Sequence, residues 1–410
     1  MAKYRAKQES IMRPDSGGVR GILAGTDWLT ILLCLCASAF GMLLVHSVTR
    51  DAAQQAGKLK FGLVSSEVLT MAVGIALGLA AALVMSFVDY ELLLRFWYVI
   101  AAGCLLLMLL LIPFGIAENP NRETARRWLP IPGTGHPPIT FQPSELLKLG
   151  FIVSFTWHLY RERERINKLK TILLLGAHIL VPFALVAVTG DLGSALVFLF
   201  VSVGMLFLAG MKLRWFAALA ALGGAALPLL WMKFLDEFQK KRIFAVYAPH
   251  RLSKEDLDFF LYQQQQGINA IGSGRLRGKG LFKGTVYVPV QETDMIFSAA
   301  GEALGFFGSM AVLLLLALVV FRLISVSRHT RNLRARLLCA GVALMISAQS
   351  IVNIGVCLKL LPVTGITLPF FSAGGSANLS LYLTLGLALT VFRHQNEHED
   401  TQSYFDYLYS

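Results

Sequence analysis

The sequence predicts an all-α, polytopic integral membrane protein with about ten transmembrane helices and a large extracytoplasmic loop between helices 7 and 8. Three observations predict it. The 410-residue chain is 55% hydrophobic with mean hydropathy +0.61, more apolar surface than a soluble domain of that size needs. Apolar runs of roughly 18 residues, the length that crosses a bilayer, recur near 28–49, 66–88, 92–113, 144–160, 171–189, 192–211, 215–234, 295–321, 337–358 and 375–392. Lys and Arg gather in alternate connections, as cytoplasmic loops do.

Taken in order, the segment 1–27 is a basic leader with Lys3, Arg5, Lys7, Arg13 and Arg20. No small-residue cleavage site follows the first apolar run, so that run is expected to be a retained span and not a signal peptide. The 144–160 run is short, and Gly190-Asp191 interrupts 171–211. The connection 161–170 (RERERINKLK) is basic, and 322–336 holds five arginines and no acid. An even number of spans puts these segments and the C-terminus inside, leaving 114–143 and 235–294 outside. The transmembrane domain is then 28–392, followed by a polar tail, 393–410, in which His394 and His398 read as solvated residues.

The formal charge of +12 follows from this topology and does not point to nucleic acid. Cys34, Cys36, Cys104, Cys339 and Cys357 all fall in predicted spans and read as small apolar side chains, with no disulfide or metal spacing. No internal repeat at a fixed period is visible.

Ionisable residues in or beside a membrane mark candidate sites. In FQPSELLKL (141–149), Pro143 suits a first helical turn. Glu145 and Lys148 then share one helix face, as a structural ion pair or in a polar cavity. Asp191 in TGDLGSAL either caps helix 192–211 or binds a metal or a sugar hydroxyl. Arg122, Arg126 and Arg127 before Trp128 suit phosphate or headgroup anchoring. The stretch IGSGRLRGKGLFKG (271–284) carries Arg275, Arg277, Lys279 and Lys283 without an acid. Its glycines read either as part of a solvated loop or as backbone that lets N–H groups approach a phosphate. The P-loop spacing is absent.

Asp294 precedes Met295-Ile296-Phe297 at the lip of an apolar run. Partial desolvation favours the protonated form of a carboxylate, which suits a general base. Glu302 lies eight residues on, about 12 Å deeper and rotated by about 80° on a helix, so it is expected to serve another span from the bundle interior. LLPVTGITLPFFSAGGS (360–376), with its prolines, glycines and hydroxyls, is expected to be a re-entrant or outer-face loop buried in protein.

With ARRWLP, FQPSELLKL, GDLGSALV, AIGSGRLRGKGLFKGT, TDMIF…GEALGFFG and NIGVCLKLLPVTGITLPFFSAGGS in this order, the chain resembles the SEDS family, the RodA, FtsW and SpoVE proteins, over roughly 28–392. The resemblance implies ten transmembrane helices and polymerisation of lipid II, the undecaprenyl-pyrophosphate-linked disaccharide peptide, at the outer face of the bacterial cytoplasmic membrane. A class B penicillin-binding protein and other elongation-complex or divisome proteins are the implied partners. The family's essential aspartate falls on Asp294 by the T-D-F-I-F match. The sequence departs from the pattern at Val290, where the family has Glu, at Glu292, where it has His, and at Ala373, where it has Tyr. Thr364 stands where FtsW-type members often carry Lys, and Lys283-Gly284-Thr285 is similar to the RodA side, so elongation is expected over division.

This reading makes Asp294 the base for an inverting transfer. Arg126, Arg127, Arg275, Arg277, Lys279 and Lys283 are candidates to neutralise pyrophosphate. Glu145, Lys148, Asp191, Ser372 and Ser376 complete the candidate substrate-binding set. A divalent cation, Mg²⁺ or Mn²⁺, could bridge phosphate oxygens. A precursor flippase and a non-catalytic scaffold are the competing expectations.

Overall fold

The computed structural model describes residues 25–55, 64–117, 126–131, 140–233 and 235–408. Arg122 and the leader before residue 25 lie outside the described residues. The helices are α1 (Trp28–Gln55), α2 (Ser66–Ser86), α3 (Tyr90–Arg95), α4 (Trp97–Leu109), α5 (Leu111–Phe114), α6 (Pro143–Arg161), α7 (Leu169–Val188), α8 (Leu192–Leu208), α9 (Leu213–Lys233), α10 (Glu237–Tyr247), α11 (Lys254–Gly274), α12 (Ile296–His329), α13 (Leu333–Cys357) and α14 (Gly375–Leu408). Each predicted apolar run holds a helix. Eight are long and apolar enough to cross a membrane; α8 is shorter, and the remaining run is α6, 19 residues long and mostly buried. The chain is a multi-pass membrane protein.

Short polar side chains set the helix starts. Ser65, Asp89, Asp191, Asp236, Ser253 and Asn332 each accept a hydrogen bond from a backbone N–H of the first turn. Pro143 opens α6, where a missing N–H costs nothing. Two connections hold structure that the apolar pattern did not show, and the solvated reading of His394 is corrected. The 114–143 connection carries a small antiparallel sheet, β1 (Ile116–Ala117), β2 (Arg126–Pro130) and β3 (Thr140–Phe141), in the order β1-β2-β3. The 235–294 segment is largely helical, since α10 and α11 lie in it. The tail is not detached at residue 393, because α14 runs on to Leu408 and His394 is buried, its Nδ1 2.9 Å from the Thr390 carbonyl.

At the end of the bundle away from the 360–376 loop, Asp27 is buried and takes a bidentate bond from Arg322 at 2.9–3.3 Å, tying the start of α1 to α12. Arg334 meets Glu91 at 2.6 Å, tying α13 to α3.

α12 is kinked at Gly305, which has φ +65°. A break inside an apolar helix leaves N–H and C=O groups without helical partners, and here the 275–280 segment supplies them. Lys279 and Gly280 N–H donate to the Glu302 and Ala303 carbonyls at 3.0 and 2.9 Å. Phe306 and Phe307 N–H donate to the Arg275 and Leu276 carbonyls at 2.9 and 3.3 Å. The backbones touch to do this: a Cβ on Gly274 would lie 1.9 Å from the Gly301 carbonyl oxygen. The glycines therefore serve close packing against the kinked helix, and the amides of residues 279 and 280 are spent on it.

Gly274→Ala forces that contact apart. Overpacking typically costs 1–3 kcal/mol and sometimes more, so a loss of about 3 kcal/mol is expected. It would show as a lower unfolding midpoint of the purified variant in detergent; an unchanged midpoint would contradict the packing described.

Candidate functional site

The site begins with a turn. Val290, at φ +49°, directs its carbonyl to accept from Thr293 and Met295 N–H at 3.1 and 3.3 Å, closing a tight loop just before α12. Three successive carbonyls of that loop are then pinned. Ala373 N–H donates to Glu292 at 2.7 Å, Ser372 Oγ to Thr293 at 2.7 Å, and Asn353 Nδ2 to Asp294 at 2.8 Å. Asn353 gives a second bond to the Ile366 carbonyl at 2.7 Å, and Ser372 Oγ accepts Leu368 N–H at 2.7 Å. Residues 366–373 of the 360–376 segment are mostly buried in protein, while its two ends are half-buried, and the segment holds the Asp294 backbone. Asp294 itself is half-buried.

Its side chain reaches Gly365. That glycine has φ +81°, and a Cβ on it would lie 3.5 Å from Asp294 Oδ2 and 3.3 Å from Arg127 Nη1. A carboxylate and a guanidinium therefore flank one point that only glycine leaves open. Arg127 stands on β2 and donates through Nη2 to the Gly190 carbonyl, at the turn between α7 and α8. Arg127 Nε and Thr364 Oγ1 are buried without a hydrogen-bond partner among the described residues. Orphaned buried polar atoms are costly; Thr364 directly precedes Gly365, and Arg127 Nη1 lies near that glycine.

Asp191 realises the capping alternative. It is buried, accepts Ser194 N–H at 3.1 Å, and takes Gln142 Nε2 and Ser144 Oγ at 3.1 and 3.2 Å. It joins the starts of α8 and α6 next to the carbonyl that holds Arg127. Glu145 and Lys148 form a buried pair at 2.6 Å, with Gln349 Nε2 3.4 Å from the other carboxylate oxygen. They lie behind the re-entrant loop, beside a narrow cavity that Ser372 also lines. Ser376 is half-buried in the first turn of α14.

Glu302 does not serve another span. Its carboxylate accepts Lys279 Nζ at 2.7 Å and the Thr285 and Val286 N–H groups at 2.8 and 3.1 Å, so it organises the basic segment. Lys279 is thereby paired. Arg275, Arg277 and Lys283 are exposed, and Arg126, also exposed, donates to the Ile112 carbonyl at 3.0 Å. The geometry brings Asp294, Arg127, Asp191 and Ser372 to one place, and it collects Lys279 and its exposed neighbours around Glu302. Asn353, Thr364 and Gly365 were not singled out as site residues from the sequence. For Asn353 a signal existed, since an amide in an apolar run asks for a buried partner.

Among the described residues no group of three His, Cys, Asp or Glu side chains is placed to hold a metal ion. Asp294 offers one carboxylate.

The family model FTSW_RODA_SPOVE, described as "Cell cycle protein", matches residues 27–397. Curated relatives named "Probable peptidoglycan glycosyltransferase FtsW" include one from Geobacter sulfurreducens, 30% identical over 89% of this chain and 94% of the relative. Another, from Escherichia coli O157:H7, is 31% identical over 76% of this chain and 75% of the relative. Among solved structures, a chain from a study titled "Structural coordination of polymerization and crosslinking by a peptidoglycan synthase complex" is similar at TM-score 0.73, with 29% identity, over 90% of this chain and 98% of that one. The rod shape determining protein RodA of Thermus thermophilus is similar at TM-score 0.64, with 27% identity, over 90% and 97%.

Asn353→Leu removes a double donor, strands the Ile366 carbonyl and leaves the Asp294 carbonyl with only the weak Cys357 thiol donor at 3.6 Å. Each unmet buried group costs roughly 1–3 kcal/mol. Limited proteolysis of the variant is expected to open the 360–376 segment first; native-like resistance there would show that the amide is dispensable.

Proposed function

The chain belongs to the FtsW, RodA and SpoVE family of cell cycle proteins, and on that footing we propose that it is a peptidoglycan glycosyltransferase that polymerises lipid II. The observation that carries the site assignment is that the Asp294 carboxylate and the Arg127 guanidinium both come within 3.5 Å of the point where a Cβ on Gly365 would lie. In this reading the acceptor sugar's 4-hydroxyl gives its proton to Asp294 and attacks the donor's anomeric carbon. The bond to the lipid diphosphate breaks, and the centre inverts. Arg127, with its orphaned Nε, faces the charge that develops on the leaving group; exposed Arg275, Arg277 and Lys283 are further candidates to neutralise it. Ser372 and Asn353 act at one remove by holding the Asp294 backbone. A divalent cation such as Mg²⁺ or Mn²⁺ would take Asp294 as its protein ligand and the diphosphate for the rest, adding charge neutralisation.

The clustering of Lys and Arg in the leader, 161–170 and 322–336 supports cytoplasmic termini and a site at the outer face of the bacterial cytoplasmic membrane. A penicillin-binding protein is the proposed partner, supported by the likeness to a chain of a peptidoglycan synthase complex. Thr364 in place of Lys supports elongation. The names of the curated relatives favour division as the second reading.

Purified protein in detergent should convert lipid II to polymer with no membrane gradient, which neither a flippase nor a scaffold does. General-base catalysis supplies roughly 10²–10⁴-fold, so Asp294→Asn should lose at least about a hundredfold while keeping its unfolding midpoint. Gly365→Ala, whose Cβ enters the space near Asp294 and Arg127 and whose φ of +81° strains an alanine, should also lose activity, with a lowered unfolding midpoint. Polymer at the wild-type rate from Asp294→Asn would end the assignment.

Complementation separates the two roles. The chain is expected to restore rod shape to cells depleted of their RodA and to leave cells depleted of FtsW filamentous. The opposite outcome would assign it to division.

A further inference from the structure

Helices α4 and α7 both pack on α6 and leave between them a cavity of about 320 Å³. Trp97, Leu105, Phe151 and Val181 form much of its wall, and Val181 is exposed on the apolar flank of the bundle. No Lys, Arg, Asp or Glu lines it. Its volume is at the lower end of the range for small-molecule sites, roughly 300–1,000 Å³.

The floor is polar. Ser154 Oγ donates to the Phe151 carbonyl at 3.2 Å. With that hydrogen committed, Ser154 accepts from His178 Nε2 at 3.1 Å. His178 Nδ1 then bears no hydrogen and accepts from His158 Nδ1 at 3.0 Å. The assignment follows from the hydrogen-bond network. A hydroxyl oxygen has two acceptor lone pairs, so Ser154 keeps one. Pro182, also on the wall, has no N–H with which to bond the His178 carbonyl one turn earlier. The floor thus offers acceptors and has no hydrogen to spare. An anionic head finds no cation there, and an ether or ester head finds no donor. A neutral hydroxyl satisfies it.

We propose that this cavity binds the hydroxyl end of a neutral long-chain lipid alcohol, whose chain leaves between α4 and α7 into the bilayer. The site is separate from the Asp294 cluster and does not depend on the polymerase reading.

Trp97 in the wall gives the readout. The full chain in phosphatidylcholine nanodiscs is titrated with 2-bromoundecan-1-ol and with 2-bromoundecane, which carry the bromine at the end that enters the cavity, each referred to its mole fraction in the bilayer, and tryptophan quenching is followed. The alcohol is expected to half-saturate at a mole fraction roughly fivefold lower, the worth of one hydrogen bond. Trp97→Phe combined with Trp157→Phe, whose indole stacks on Trp97 at 4.5 Å, should remove the saturable part. Ser154→Ala should bring the alcohol to the level of the bromoalkane, and Ala177→Leu, at an exposed lining position, should abolish saturable quenching by filling the cavity. Equal potency of alcohol and alkane, or a preference for alcohol that survives Ser154→Ala, would overturn the proposal. If Ser154→Ala does not fold, saturable alcohol quenching in Ala177→Leu overturns it instead.

Discussion

Hydrocarbon offers no hydrogen bonds, so every interruption of a helix in this bundle must be satisfied from within the protein. That constraint organises the molecule around two breaks. At Gly305 the groups left without helical partners are met by the backbone of residues 275–280. Before α12, the carbonyls of residues 292–294 are met by Ala373, Ser372 and Asn353. The regions that look least regular in sequence are therefore each other's hydrogen-bond partners, and neither could adopt its path alone.

The same bonds bear on the role proposed for Asp294. A carboxylate used as a base must be held still relative to the atom it deprotonates. Asp294 has its backbone fixed by α13 and its neighbour Thr293 held by the re-entrant loop, while its side chain and that of Arg127 both come close to Gly365. Arg127 in turn hangs from Gly190, beside the cap made by Asp191. The acid and the cation come from segments far apart in the chain, and each is anchored through main-chain carbonyls.

Charges elsewhere are paired where they are buried, because an isolated ion in an apolar interior is costly. Glu145 has Lys148, Glu302 has Lys279, and Asp27 has Arg322. The histidines of the α6–α7 contact remain within a chain of neutral hydrogen bonds that ends at an uncharged cavity. The polar groups thus sort into ion pairs that tie elements together and a smaller set that faces open space.

The apolar runs determined the number and order of the long helices, since the length of hydrocarbon to be crossed is written in local composition. The helix starts at Asp191 and Pro143 were legible for the same local reason. The three short strands were not, because two-residue pairings carry no periodic signal. The partners of Glu302, the role of the glycines near residue 278, and the meeting of Asp294 with Arg127 across Gly365 were decided by tertiary structure alone. Each depends on two segments brought together from distant positions, and the distance between them is a property of the packed bundle that no single stretch of sequence contains.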